Sequence, residues 1–284
     1  MIKEDAAKIA DKRFGQNFLK DSSYLYKIIQ AMPDDDLPVV EIGPGLGDLT
    51  KELVKARHVT AYEVDKRLCE HLKHEAALFE EEGRFTLRCG DVLEHWEQAP
   101  LLDEAYHLVA NLPYYIATRI VLKALSEAHC RSILVMVQKE VAQKFAASVG
   151  EKAFSALSVL AQSAGKARLL FEVPPSAFTP PPKVTSAVLL IEKERSLDDE
   201  RFARFLKAAF AQPRKTLLKN LSTAFGKAKV AEAFEALELP ASLRPHEAAT
   251  STYHLLYNAL KDMLDGKQQS KPQKRTRKKR RNPQ

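Results

Sequence analysis

Five consecutive residues, Asn111-Leu112-Pro113-Tyr114-Tyr115, carry the most specific chemistry in this chain. The Asn111 side-chain oxygen and the Leu112 backbone carbonyl are two hydrogen-bond acceptors on one short loop. Such a pair suits an aryl or amide nitrogen whose lone pair is delocalised and therefore poorly nucleophilic. Holding both N–H bonds turns the nitrogen towards an electrophile and favours a tetrahedral geometry. Pro113 sets its own φ and restricts Leu112. Tyr114 offers a ring face for a base taken out of its stack, and the exocyclic N6 of an adenine meets this description. No strong general base is required, because the nitrogen becomes acidic on methylation and its proton can pass to solvent. Tyr115 reads as a core residue. The rigid loop Val-Pro-Pro-Ser-Ala-Phe-Thr-Pro-Pro-Pro-Lys, 173–183, carries one aromatic, Phe178. Phe178 is expected either to sandwich the base against Tyr114 or to serve as a hydrophobic anchor.

A second set of residues describes an adenosine pocket. In Glu-Ile-Gly-Pro-Gly-Leu-Gly, 41–47, Gly43 and Gly45 permit a tight turn and close approach of a ligand to backbone. A dinucleotide fingerprint would place glycine at the sixth position, where this chain has Asp48. Glu41 would repel a pyrophosphate and favour a cationic sulfonium and amino-acid moiety. Glu63, twenty residues after Gly43, is placed to accept from both hydroxyls of a ribose, with Val64 beside it. Asp65 reads instead as a helix N-cap. In Gly90-Asp91-Val92, Asp91 suits an adenine amino group and Val92 the ring. Gln16 and Asn17, polar between Phe14 and Phe18, suit a lid over the methionine part of the ligand. The cofactor expected from these residues is S-adenosyl-L-methionine.

The elements that must position them alternate strand and helix. Strands are expected at 38–42, 58–64, 85–89, 107–110 and 131–137, with helices at 48–56, 66–82, 116–125, 140–147 and 153–164. Asp21 reads as the N-cap of a helix that places Leu25, Ile28 and Ile29 on one face. Repeated βα units indicate a parallel sheet covered on both faces, a Rossmann-like α/β domain. A late pair of strands, 166–171 and 184–191, is expected to form an antiparallel edge. The charged segment after Ile191 reads as a junction. From Arg201 to Leu264 the periodicity is helical, giving a small all-helical second domain over 192–264.

The chain has a net charge of +7, but nine Lys or Arg and no acid lie between Lys267 and Gln284. Removing those nine leaves residues 1–266 at −2. The tail, 265–284, is expected to be disordered and able to meet phosphates in a salt-dependent way. No apolar run approaches a membrane span, and the N-terminus does not read as a signal peptide. Three cysteines at irregular spacing, Cys69, Cys89 and Cys130, argue against a disulfide framework and suit a cytoplasmic protein. No histidine spacing indicates a metal site. The absence of an exposed heptad points to a monomer.

Seven segments in order carry a family resemblance: FGQNFL 14–19, EIGPGLGDLT 41–50, YEVD 62–65, GDVL 90–93, NLPYYI 111–116, MVQKEVAQKF 136–145 and VPPSAFTPPPKVTSAVL 173–189. Over roughly residues 10–260 the chain resembles the bacterial 16S ribosomal RNA dimethyladenosine transferases. The resemblance implies N6,N6-dimethylation of two adjacent adenosines in a hairpin loop near the 3′ end of 16S rRNA, on immature 30S particles. It implies cofactor contacts at Asn17, Leu19, Gly43, Glu63, Asp91 and Asn111, base contacts at Asn111, Leu112, Tyr114 and Phe178, and a helical domain that docks on the particle. Where the family carries Arg-Arg-Lys, this chain has Pro213-Arg214-Lys215, a thinner basic contact. Rival readings are the related 23S rRNA resistance methyltransferases, a non-catalytic assembly factor on the same fold, and a glutamine methyltransferase. The last usually has proline where this chain has Leu112.

Overall fold

Val39–Ile42, Val59–Glu63, Phe85–Cys89, Tyr106–Asn111 and Cys130–Gln138 (β2 to β6) form five parallel strands of one sheet. The computed structural model describes residues 6–76 and 83–263. Every residue of β2 and β3, and all but the last of β5, is buried, as strands covered on both faces must be. Gly165–Val173 (β7) and Ser186–Lys193 (β9) complete a seven-stranded sheet in the order β4-β3-β2-β5-β6-β9-β7. Both β6·β9 and β9·β7 are antiparallel, and β7 forms the edge.

The intervening helices are Asp48–Leu53 (α3), Lys66–Ala76 (α4), Val92–Gln98 (α5), Tyr114–Ser126 (α6), Lys139–Ala146 (α7) and Ala156–Ala164 (α8). Ala6–Ile9 (α1) and Ser22–Gln30 (α2) precede them. Asp21 caps α2 through a bond from the Ser23 N–H, and Leu25 and Ile28 are buried beneath it. Helix α5 had no counterpart in the sequence reading. It is only seven residues long, and its apolar face is just Val92, Leu93 and Trp96, with Asp91 as its N-cap. The expected helix over 66–82 is seen to Ala76, and 77–82 lie outside the described residues.

Two further features escaped periodicity. Phe18–Leu19 (β1) and Phe178–Thr179 (β8) form a two-residue antiparallel ladder, Leu19 opposite Phe178. The cysteine expectation is corrected: Cys69 and Cys89 are paired as a disulfide, with Cα atoms 6.1 Å apart. Pairing of β3 with β4 sets Cys89 opposite Glu63, and α4 returns over that strand end carrying Cys69. A separation of 20 residues gives no hint of this. Cys130 is free, and burial pushes its thiol up to about 12.

The described residues fall into two compact units, one ending at Asp199 and the other starting at Glu200. The segment after Ile191 belongs to the first unit. Glu194 and Arg195 donate backbone N–H bonds to the Ala164 carbonyl, and the Leu197 N–H donates to the Leu125 carbonyl. The second unit contains Glu200–Ala209 (α9), Leu217–Phe225 (α10), Lys227–Ala236 (α11) and Thr250–Leu260 (α12). Its core is aromatic: Phe202 and Phe205 lie 5.1 and 5.6 Å from Tyr257. Buried Asn220 exchanges two hydrogen bonds with the Gln212 backbone, shaping the loop that exposes Arg214 and Lys215. The basic tail lies outside the described residues.

Candidate active site

Strand order reverses between β2 and β5, since the chain runs from β2 outward to β4 and then crosses to the other side of β2. A parallel sheet opens a crevice at such a switch point, beyond the carboxyl ends of the strands. Here the opening is visible in the register. Strands β2 and β5 pair only at Val39–His107 and Val40–Leu108, although β5 continues to Asn111. Beyond Val40 the strands part, while Asn111 remains paired with Met136 of β6. The β2–α3 turn and the β5–α6 loop meet across the gap: a Cβ on Gly43 would lie 3.7 Å from Pro113 Cδ. Gly43 (φ +71°) and Gly45 (φ +63°) occupy the left-handed region, which glycine alone adopts without cost.

A cleft of about 430 Å³ occupies this place. Gln16, Asn17, Leu19, Glu41, Gly43, Gly45, Glu63, Val64, Asp91, Val92, Asn111, Leu112 and Tyr114 all line it. It is large enough for a small cofactor. Glu63 is 4% exposed, and its two oxygens accept from the Gly45 N–H at 3.2 Å and the Asp65 N–H at 2.9 Å. Burial raises its pKa, while the hydrogen bonds from Asp65 and Gly45 oppose the shift. These bonds point the carboxylate and leave lone pairs for further donors. Asp65, by contrast, accepts from the Arg67 N–H, as the N-cap expected there does. The exposed Asp91 uses Oδ1 to cap α5.

Glu41 revises one expectation. It is 1% exposed and accepts from Thr50 Oγ1 at 2.7 Å. Burial pushes its carboxyl up to about 8, with the neighbouring Glu63 adding to the shift. Burial thus favours its protonated form and weakens it as a standing negative charge.

The N-terminal segment expected to act as a lid is held by hydrogen bonds of Gln16 and Asn17. Gln16 donates to Asp65 at 3.1 Å and accepts from the Asp11 N–H at 2.8 Å. Asn17 donates to the Gly15 carbonyl, while its own carbonyl accepts from Asn111 Nδ2 at 3.1 Å. On the other side the Leu112 N–H donates to the Met136 carbonyl at 3.1 Å, and the Tyr114 hydroxyl bonds Ser186 Oγ at 2.7 Å. The structure thus brings Asn111, Leu112 and Tyr114 together at the open end of β5.

Phe178 is different. It is 4% exposed and does not line the cleft. Pairing of β8 with β1 draws its ring into the core that contains Leu19, Leu25 and Ile28. In this conformation Phe178 is the anchor and not one half of a sandwich. Tyr115 departs in the opposite sense: expected in the core, it is 61% exposed and lines the cleft. Helical phase would have revealed it. Ala117, Ile120, Val121, Ala124 and Leu125 form the buried face of α6, so Tyr115 falls with Arg119 on the opposite face.

The residues present fit an adenosyl cofactor. Carboxylates at two adjacent strand ends are joined by apolar side chains in one cleft, beside glycines that admit a ligand to the backbone. Comparison with known proteins agrees. A family model described as ribosomal RNA adenine dimethylase matches residues 8–260. The chain is 53% identical over 261 residues to a ribosomal RNA small subunit methyltransferase A of Sulfurimonas denitrificans, covering 91% of this chain and 96% of the relative. It is 50% identical to the protein of that name from Aliarcobacter butzleri, covering 89% and 97%. Among solved structures, a dimethyladenosine transferase from Plasmodium falciparum superposes with a TM-score of 0.73 at 24% identity, covering 87% and 98%. The 23S rRNA methyltransferase ErmE superposes at 0.67 and 25% identity, covering 86% and 100%. The chain belongs to the ribosomal RNA adenine dimethylase family and is an S-adenosyl-L-methionine-dependent methyltransferase of small-subunit ribosomal RNA.

Proposed function

We propose that the cleft transfers two methyl groups to N6 of each of two adjacent adenosines in the 3′-terminal hairpin loop of 16S rRNA, on an immature 30S particle in the cytoplasm. The observation that carries this is the convergence, at one sheet switch point, of Glu63 and Asp91 with Asn111, Leu112 and Tyr114. The bound cofactor supplies an electrophilic methyl on a sulfonium. Glu63 accepts from the ribose hydroxyls, and Asp91 from the adenine amino group. Glu41 sits beneath the methionine end, where a cation lowers its pKa and draws out its proton. Gln16, Asn17 and Leu19 cover that end.

The chain's work on the target nitrogen is orientation. Asn111 already uses Nδ2 as a donor to Asn17, so Oδ1 is the acceptor it offers. That oxygen and the Leu112 carbonyl take the two N6 hydrogens, and the lone pair is turned to the methyl. Tyr114, fixed by Ser186, supports the flipped base. After the first transfer one hydrogen remains, and one acceptor suffices to orient it for the second. Arg214 and Lys215, exposed on the helical unit, contact phosphates.

Small-subunit naming of relatives at 46–53% identity favours this target over the 23S reading carried by the more distant ErmE. The test is to incubate the protein with labelled cofactor and undermethylated small-subunit particles, then map modified nucleotides. Dimethylation of the adjacent pair is expected. Label confined to 23S rRNA would reject the proposal.

A further inference from the structure

Among the described residues, six large apolar side chains are conspicuously exposed, and two of them, Val64 and Tyr115, line the same cleft. Val64 is 42% exposed and Tyr115 61%. Exposed apolar surface inside a concave site marks what a ligand covers. Val64 follows Glu63 directly, which places it at the adenosine end. The position of Tyr115 is fixed by two neighbours. A Cβ on Gly15 would lie 3.5 Å from Tyr115 Cδ1, so the lid backbone rests against the ring. The phenol is also close enough to Asp91 and Glu63 that, after burial, their charges help raise its pKa. The ring therefore packs against the Gly15 backbone inside the cleft that Asp91 and Glu63 also line.

We propose that Tyr115 is a cofactor-clamping residue, its ring packing on the adenosine of S-adenosylmethionine or S-adenosylhomocysteine and holding the Gly15 lid segment over it. This rests on the adenosyl pocket of the functional reading, but not on the identity of the RNA. A purine face needs an apolar partner, and the other apolar flank, Val92, is small and already 5% exposed in the wall. An aromatic ring supplies the larger contact, and its hydroxyl is dispensable for it. Tyr114 differs, because its hydroxyl is committed to Ser186 and the functional reading assigns its ring to the target base.

The test is calorimetric binding of S-adenosylhomocysteine to the free protein, with steady-state kinetics alongside. Tyr115→Ala should raise the dissociation constant about tenfold, as loss of one base–aromatic stack does. The KM for S-adenosylmethionine should rise in step, with the KM for the particle unmoved. Tyr115→Phe should restore binding to within about twofold of the parent, and Tyr115→Leu should fall between. Circular dichroism and a thermal midpoint on each variant separate lost binding from lost fold. Unchanged affinity in a folded Tyr115→Ala protein overturns the proposal, as does a raised KM for the particle alone, which assigns the ring to RNA. Binding by the parent protein without methylation of small-subunit particles would reject the RNA target and leave the clamp standing. An absence of binding by the parent would remove both.

Discussion

Asn111 Nδ2 donates to the backbone carbonyl of Asn17 at 3.1 Å, joining residues 94 positions apart. One carboxamide thus ties the segment around Asn17 to the β5–α6 loop and, by using its donor there, leaves its oxygen as the acceptor it offers at the cleft. In the proposed function this bond couples cofactor enclosure to orientation of the target amine.

Asn111→Ala should therefore damage two measurable quantities. Loss of the acceptor is expected to lower kcat by about 10²–10³, the scale for removing one transition-state hydrogen-bonding group. Loss of the tether should weaken S-adenosylhomocysteine binding about fivefold, since a neutral hydrogen bond contributes about 1 kcal/mol. Full cofactor affinity in this variant would show that the Asn17 contact does not hold the lid.

Glu41 makes stability pH-dependent. Its carboxyl is raised from 4.5 to about 8 in the folded protein, so the folded state binds more protons than the unfolded state between those values. Its contribution is present below about pH 4.5 and is lost as pH rises to about 8, with a slope approaching ~1.4 kcal/mol per pH unit. Urea unfolding from pH 5 to 9 should show this decline, and Glu41→Gln should flatten it. Proton release on binding S-adenosylmethionine, seen as buffer-dependent calorimetric heats near pH 7, should also disappear in Glu41→Gln.

Phe178 separates packing from stacking. At 4% exposure within the core beneath β1, truncation to Ala should cost about 3–5 kcal/mol in urea unfolding. Phe178→Leu keeps most of the volume and should lose about 1 kcal/mol. If that variant is stable yet its kcat collapses, β8 must separate from β1 during turnover and carry the ring to the base.

The Cys69–Cys89 pair predicts a crosslinked peptide in unreduced digests and no alkylation of either thiol before reduction. Closing a loop of this length stabilises by about 3 kcal/mol, so reductant or Cys69→Ser should lower the thermal midpoint. Cys89 abuts Gly90-Asp91, and Cys69 Sγ lies 3.4 Å from the Glu63 carbonyl oxygen. S-adenosylhomocysteine affinity should weaken on reduction. Free thiols in protein purified without reductant would contradict the pairing.

Local sequence determined most of what lies along one segment: the βα alternation, the Asp21 and Asp65 caps, the glycine turn, and the acids at successive strand ends. It also determined the Asn-Leu-Pro-Tyr loop, because these features depend on neighbours within a few positions. Proximity between distant segments was decided only in three dimensions. β1 pairing with β8 buried Phe178, the β3–β4 register brought Cys89 under Cys69, and complete burial raised the Glu41 carboxyl to about 8. Tyr115 lies between these cases. Its outward phase on α6 was written in the sequence, but only the fold, with Gly15 against the ring, made that exposed face line the cleft.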